Sequence, residues 1–140
     1  MVKANKNEIL ELDEAWSFVG SKRNQRWIWA SMCKRTKQIV GFYVGGREEK
    51  DCWLLRNNIR EDYLEFRSYS DLYPTYDMVF DQNLRVDKKT GLTNHMERWW
   101  ATLRNRLGRL SRKTLSFSKS EFYLNANLKL FIYEYNLSVI

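Results

Sequence analysis

The sequence predicts a single α/β domain that is built on a mixed sheet and ends in helices. Three segments near the N-terminus alternate as strands do and are joined by short turns, which indicates an antiparallel meander. A segment of helical period and a further short strand follow, which indicates a crossover connection. Two long segments with apolar stripes at helical spacing complete the chain.

Composition limits the class of protein. The chain has 140 residues, of which 44% are hydrophobic, and this suits one compact domain over 1–140. No apolar run approaches the ~20 residues of a membrane helix and no signal segment opens the chain, so we expect a cytoplasmic protein without a membrane partner. Cys33 and Cys52 lack the paired spacing of a zinc ribbon and exclude a disulfide scaffold. The net charge of +7 indicates a polyanionic partner.

The first strand is predicted over 9–19 from its alternation. Asp13 lies on the parity opposite to the large apolar side chains Leu10, Leu12, Trp16 and Phe18. Turn-forming residues separate this strand from two more, which completes the meander. The predicted segments are a turn over 20–24, a strand over 26–33, a turn over 34–37 and a strand over 38–44.

A helix and a fourth strand are predicted next. Gly45-Gly46 ends the meander, and the helix over 48–59 repeats apolar residues at spacings of three and four. The strand over 64–70 ends at Asp71 and is predicted to lie parallel to the first strand. The polar stretch 81–92 is predicted to be a loop.

Two helices are predicted at the C-terminal end. Asn94 is a good N-cap, and Glu97 three residues later gives the spacing of a capping box. The final helix is predicted over 121–135. The apolar stripes are Met96, Trp100, Leu103, Leu107 and Leu110 in the first of these helices, and Leu124, Leu128, Phe131 and Ile132 in the second.

Three acids lie where a divalent-metal site would need them: Asp13 inside the first strand, Asp71 at the end of the fourth, and Glu97 at the start of a helix. Such a site needs clustered oxygen ligands from elements that the fold brings together. Asp77 and Asp81 compete with Asp71, but an acid at a strand end is better placed. Glu97 is explained equally well as a helix cap. The order of the elements is that of an RNase H-like fold, in which the first and fourth strands are adjacent.

Five segments resemble, in order, consecutive blocks of the transposases of bacterial insertion element one. They are ELDEAWSFVGSKRNQRWIW (11–29), GFYVGGREEK (41–50), YSDLY (69–73), TNHMER (93–98) and RLSRKTLSFSKS (109–120). The resemblance implies an RNase H-like DDE catalytic domain that hydrolyses a phosphodiester at the element ends and transfers the 3′-hydroxyl into target DNA. It implies that Asp13, Asp71 and Glu97 are the catalytic triad and hold Mg²⁺ or Mn²⁺. The implied partners are the terminal inverted repeats, target DNA and further copies of the chain.

The chain departs from the family pattern in two ways. After Arg98 it reads Trp99-Trp100-Ala101, where family members commonly have an aromatic residue and two asparagines. Only twelve residues precede Asp13, so we expect the usual zinc-finger and helix-turn-helix recognition region to come from a fused or upstream frame. Two other functions therefore stay open, a catalytically degenerate DNA-binding remnant and an RNase H-like nuclease.

Basic and aromatic residues cluster around Glu97. Six cations and no acid occur over 98–113; a solvated helix face is one interpretation, and contact with the DNA backbone is the favoured one. His95 is either a group that contacts the scissile phosphate or donates a proton, or an ordinary helix residue. Trp99 and Trp100 either belong to the core or stack on an unpaired base. The expected DNA-binding residues are Arg98, Arg104, Arg106, Arg109, Arg112 and Lys113.

Overall fold

The computed structural model describes residues 2–19, 21–64, 67–113 and 121–139; the side chains of 17–19, 21–25, 88 and 107–113 are not described. Within these ranges it has five strands, four α-helices and two short 3₁₀ turns, at 61–63 and 88–90. The strands are β1 (Ile9–Val19), β2 (Ser21–Cys33), β3 (Ile39–Gly45), β4 (Arg67–Ser70) and β5 (Asn83–Arg85). The helices are α1 (Glu49–Asn58), α2 (Thr75–Val79), α3 (Asn94–Lys113) and α4 (Glu121–Ser138).

The strands form one mixed sheet in the order β3-β2-β1-β4-β5. β1, β2 and β3 make the predicted antiparallel meander. β4 pairs with β1 in the parallel sense, after the crossover through α1. The predicted α/β class and the pairing of the first and fourth strands are therefore confirmed.

The β1–β2 hairpin is longer than predicted. The turn expected over 20–24 is wrong from Ser21 onward, because β2 begins there and Val19 pairs with Ser21. The register between β1 and β2 shifts between Phe18 and Val19. The polar residues that suggested a turn therefore follow an irregular pairing at the end of the hairpin. A polar sequence with turn-forming residues can still pair as a strand when its neighbour supplies the hydrogen bonds.

Helices cover both faces of the sheet. On one face α1 and α2 pack over Leu10, Leu12 and Trp29, and on the other α3 and α4 pack over Ile28 and Met32. The helices, together with Ile59 directly after α1, complete these two cores. The first face has Cys52, Leu55, Ile59, Tyr76 and Val79, and the second has Met96, Trp99, Trp100, Leu103, Leu124, Leu128, Phe131 and Ile132. The even-numbered side of β1 therefore faces α1 and α2, and the odd-numbered side faces α3.

The predicted capping box of α3 is wrong by one residue. The helix begins at Asn94, so Thr93 occupies the N-cap position, and its carbonyl accepts the backbone N–H of Glu97 at 3.2 Å. Thr93 is itself a favourable N-cap residue, which explains the earlier start. Glu97 consequently lies one position beyond the capping-box site.

Two elements were not predicted. The short helix α2 follows Pro74, and β5 falls inside the stretch expected to be a loop. β5 is parallel to β4 and has only three residues, of which Leu84 and Arg85 are exposed. Such a strand depends on its neighbour rather than on its own sequence, so no periodic pattern marks it.

One asparagine joins α4 to the edge of the sheet. The Asn136 amide accepts the backbone N–H of Ile39 at 2.7 Å and donates to the Ile39 carbonyl at 3.0 Å, while Gln38 donates to the Asn136 carbonyl at 3.1 Å. The Asn136 side chain therefore bonds both backbone groups of Ile39, the first residue of edge strand β3. Within the described ranges, no helix is both long enough and apolar enough to cross a membrane.

Candidate metal centre

Three carboxylates gather where β1 runs beside the end of β4. One ligand oxygen from each of Asp13, Glu14 and Asp71 lies within 4.8 Å of the other two. The parallel register explains this, because Glu11 pairs with Tyr69 and two residues further along both strands are Asp13 and Asp71. The structure therefore brings together two of the three acids predicted from sequence, and adds Glu14.

Asp13 has both carboxylate oxygens engaged. Its Oδ1 accepts the backbone N–H of Glu14 at 2.9 Å, and its Oδ2 accepts the indole N–H of Trp100 at 2.9 Å. Trp100 is 4% exposed and lies on α3, so the odd side of β1 that carries Asp13 is covered by an aromatic helix face. The indole therefore holds the Asp13 carboxylate in a fixed orientation.

Glu14 was not among the sequence candidates. It lies on the other side of β1, where its side chain is 1% exposed and its Oε1 has no hydrogen-bond partner within the described part of the chain. Burial, and to a smaller extent the nearby carboxylates of Asp71 and Asp13, together raise the pKa of Glu14 to about 8. The one sequence feature that could have indicated Glu14 is its position next to Asp13. Its place on the same side of β1 as Leu10 and Leu12 indicated only that it faces the core.

Asp71 faces solvent on one side. Its Oδ1 accepts the backbone N–H of Tyr73 at 3.0 Å, and its side chain lines an open groove with Arg47, Tyr73 and Asp87. The competing acids lie elsewhere: Asp77 pairs with Arg85 at 2.8 Å, and Asp81 is exposed. Of these three acids, Asp71 is the one that belongs to the three-carboxylate group.

Glu97 is not part of the three-carboxylate group. It is half-buried near the start of α3, and its Oε1 is buried without a hydrogen-bond partner in the described ranges. Trp100 lies one turn further along the helix and bonds to Asp13, so this face of α3 is directed at β1. Glu97 also raises the pKa of Glu11 on β1, though less than burial does.

His95 contacts Glu11 instead of the three-carboxylate group. Its Nδ1 lies 3.4 Å from Glu11 Oε2, and Glu11 is fully buried. Burial raises the pKa of Glu11 to about 7, while the nearby backbone N–H of Met96 and the charge of Lys34 oppose the rise. Burial chiefly lowers the pKa of His95, which disfavours the charged imidazolium. The structure places His95 in a second polar contact between α3 and β1.

Arg47 supplies a cation beside the acids. Its guanidinium lies 4.3 Å from the Trp27 ring centroid and 4.5 Å from that of Tyr73, and 3.9 Å separates it from Glu14 Oε2. The Tyr73 hydroxyl donates to the Arg47 carbonyl at 2.7 Å. Contact with two rings restricts the guanidinium at the edge of the groove. Sequence reasoning missed Arg47, because its ring partners come from distant segments.

The basic residues of α3 differ in their surroundings. Arg98 and Arg104 are exposed, whereas Arg106 pairs with Glu134 of α4 at 2.7 Å. The side chains of Arg109, Arg112 and Lys113 lie outside the described residues. Trp99 and Trp100 are 1% and 4% exposed in the core under α3 and α4, so the alternative in which they stack on an unpaired base is wrong for this conformation.

Comparison with known proteins gives one consistent family. The sequence profile described as IS1 transposase matches residues 8–134. The insertion element iso-IS1n protein InsB of Shigella dysenteriae is 35% identical over 112 residues, which cover 80% of this chain and 84% of that protein. The insertion element IS1 4 protein InsB of Escherichia coli K12 is 34% identical over 110 residues, which cover 79% of this chain and 65% of that protein.

Because the pKa of Glu14 is raised, replacing Glu14 by an uncharged residue should stabilise the fold at high pH and have little effect at low pH. The folded-state pKa, about 8, lies above the ordinary value of 4.5, so the folded protein retains a proton that the unfolded chain releases between these values. The contribution of Glu14 to stability therefore falls as pH rises through this window. In metal-free protein, Glu14→Gln should match wild type near pH 4 and be more stable near pH 9, measured by urea unfolding in EDTA.

The matched control is Glu49→Gln, which changes an exposed glutamate on α1 and should show no such trend. A stability difference between Glu14→Gln and wild type that stays constant from acid to alkaline pH would contradict the burial argument.

Proposed function

The chain belongs to the IS1 transposase family, and from that membership we propose that it forms the RNase H-like catalytic domain of a DDE transposase. The proposed reaction is hydrolysis of a phosphodiester at the ends of an insertion element, followed by attack of the freed 3′-hydroxyl on target DNA. The single observation that carries the proposal is the convergence of Asp13, Glu14 and Asp71 at the junction of β1 and β4. Family membership supports DNA as the substrate, and the net charge of +7 suits it.

The donor set fits a hard divalent cation. All three clustered groups are carboxylates, which suit Mg²⁺ or Mn²⁺, and Glu14 Oε1 is a buried oxygen with no hydrogen-bond partner in the described ranges. Bound there, a divalent ion would lower the pKa of the attacking water and neutralise charge on the phosphate. A cation would also remove the mutual repulsion that helps to raise the pKa of Glu14.

We assign the catalytic triad and metal ligands to Asp13, Asp71 and Glu97, with Glu14 as a further acidic group. Asp13 on β1 and Asp71 directly after β4 belong to the three-carboxylate group. Glu97 lies outside that group, and its support is a buried Oε1 on α3 without a hydrogen-bond partner in the described ranges. Trp100 occupies one of the positions where asparagine is common in the family, and its indole N–H orients Asp13. The aromatic residue thereby provides a hydrogen-bond donor of the kind that an asparagine amide would provide.

Arg47 is proposed to contact a DNA phosphate. Its guanidinium lies at the groove that Asp71 also lines, and the rings of Trp27 and Tyr73 restrict its motion. A guanidinium offers several donors in a plane, a geometry that matches phosphate oxygens. Arg47 would therefore hold the backbone while the carboxylates act on the adjacent bond.

The proposed partners are terminal inverted repeats, target DNA and further copies of the chain. The Escherichia coli InsB relative is longer than its matched part, which is 65% of its length. We propose that a fused or upstream-encoded region recognises the element ends, and that the catalytic domain contacts the backbone through Arg98 and Arg104.

A second candidate function is a DNA-binding domain without strand-transfer activity. The observation that favours it is that Trp100 and the Glu14 backbone already occupy both oxygens of Asp13. Metal binding by Asp13 must compete with these hydrogen bonds or use the remaining lone pairs. Activity of the unsubstituted protein therefore separates the two candidates.

We predict that Asp13→Asn, Asp71→Asn and Glu97→Gln each reduce Mg²⁺-dependent cleavage and strand transfer by at least about 100-fold, because each removes a charged ligand. The assay uses element-end DNA and protein joined to the upstream recognition region. Glu14→Gln tests the added acid and should cause a smaller loss. Glu49→Gln is the matched control and should retain activity.

The outcomes are distinct. Full activity of Glu97→Gln together with inactivity of Glu14→Gln would move the third catalytic role to Glu14. Metal-independent activity would exclude the proposed chemistry, and DNA binding without cleavage by the unsubstituted protein would favour the second candidate.

Arg104 and Arg106 give a matched test of the DNA-binding face. Arg104 is exposed, while Arg106 is already neutralised by Glu134. Arg104→Ala should weaken DNA binding and reduce the slope of log K against log salt by about 1, as expected for one phosphate contact. Arg106→Ala should change that slope less. Equal effects, measured by fluorescence anisotropy over a salt series, would contradict a contact specific to Arg104.

A further inference from the structure

Helix α4 is apolar on two opposite faces. Its inner face packs in the core through Leu124, Leu128, Phe131 and Ile132. Its outer face is exposed, and five of the eleven large hydrophobic residues that are most exposed in the described chain lie on this helix. A helix that is apolar all round is normally buried all round. The outer face therefore has the composition of an interface.

The outer residues follow a heptad repeat. Their spacing of 3, 4, 3 and 4 residues is that of alternating a and d positions. All are exposed, with fractions of 53% for Tyr123, 51% for Leu130, 65% for Tyr133 and 54% for Leu137. A row of residues with this spacing fits a second helix that has the same repeat. We call this row on α4 the α4 seam; its residues are Tyr123, Ala126, Leu130, Tyr133 and Leu137.

Charged residues beside the α4 seam indicate that the second helix is α4 of another copy of this chain. With Leu130 at position a, Lys129 occupies g and Glu134 occupies e, and both side chains are exposed. In a parallel two-stranded coiled coil, a g residue faces the e residue five positions later on the other helix. Lys129 and Glu134 are five positions apart. When two copies of α4 lie side by side, Lys129 of each copy therefore faces Glu134 of the other, which gives two pairs of opposite charge.

We propose that the α4 seam binds the α4 seam of a second copy of this chain, in a parallel two-fold dimer. The contact is self-complementary, as a two-fold interface requires. Glu134 keeps its bond to Arg106 through Oε2 and directs its other oxygen to Lys129 of the second copy. Because the seam lies opposite the inner face of α4, pairing leaves the core and the acidic cluster undisturbed.

The first test measures self-association of the whole chain without DNA or metal by sedimentation equilibrium. Wild type should dimerise, and Leu130→Glu combined with Tyr133→Glu should weaken the dimer at least about tenfold, because these substitutions place charge in the seam. Met78→Glu is the control, since Met78 is 62% exposed on α2 and should not affect association. A wild-type monomer at every soluble concentration would overturn the proposal.

Charge exchange tests the choice of partner. Lys129→Glu and Glu134→Lys should each weaken self-association, because each makes both flanking pairs repulsive. An equimolar mixture of the two variants should recover association as a heterodimer, since the first chain is then acidic at both positions and the second basic. Glu134→Lys also breaks the salt bridge to Arg106 within its own chain. That loss would persist in the mixture, so it cannot explain a recovery of association on mixing. Unchanged association of the single variants, or no recovery on mixing, would contradict the proposed charge pairing.

Disulfide crosslinking tests the direction of the helices. In a parallel dimer, Leu137→Cys places two thiols opposite each other, so mild oxidation should give a covalent dimer. Met78→Cys is the control and should not crosslink, and the native Cys33 and Cys52 are buried. Crosslinking of Leu137→Cys only to a chain carrying Ala126→Cys would indicate an antiparallel pair, in which an a position faces a d position, and would overturn the parallel arrangement.

Discussion

The parallel pairing of β4 with β1 is the constraint on which the candidate site depends. A parallel neighbour requires a crossover, and α1 provides it on the face that carries Leu10 and Leu12. The same register places Asp71 level with Asp13. A shift of one residue would reverse the side on which each β1 residue points, separating Asp13 from α3 and moving Leu12 out of its core. Apolar packing therefore fixes the alignment that brings the acids together.

Burial gives the acidic residues their unusual electrostatics. Glu14 lies on the side of β1 that faces α1 and α2, next to two further carboxylates, and its pKa rises to about 8. Such a cluster opposes folding when it is ionised and empty, and favours a divalent cation for the same reason. The Trp100 indole and the Arg47 guanidinium approach from opposite sides of β1 and partly offset the charge. The site thus combines rigid apolar support with polar groups that are incompletely satisfied.

Local sequence patterns predicted much of this arrangement. The alternation of β1 and the end of the fourth strand made Asp13 and Asp71 candidates, and the resemblance to a family selected them. The resemblance to a family, and not periodicity, was needed to select Glu97. Patterns did not predict Glu14 or Arg47, whose environments are created by contacts with residues distant in sequence. The start of α3 was missed by one residue because Thr93 and Asn94 are both good caps.

Convergence of Asp13 and Asp71 on one divalent ion is tested most directly by anomalous diffraction from crystals of the protein soaked in MnCl₂. The geometry predicts an anomalous peak within coordination distance of both carboxylates, about 2.0–2.3 Å from their oxygens, in wild type and its loss in Asp71→Asn. A peak retained in that variant, or manganese bound only at other acids such as Asp77, would contradict the assignment of this cluster as the metal site.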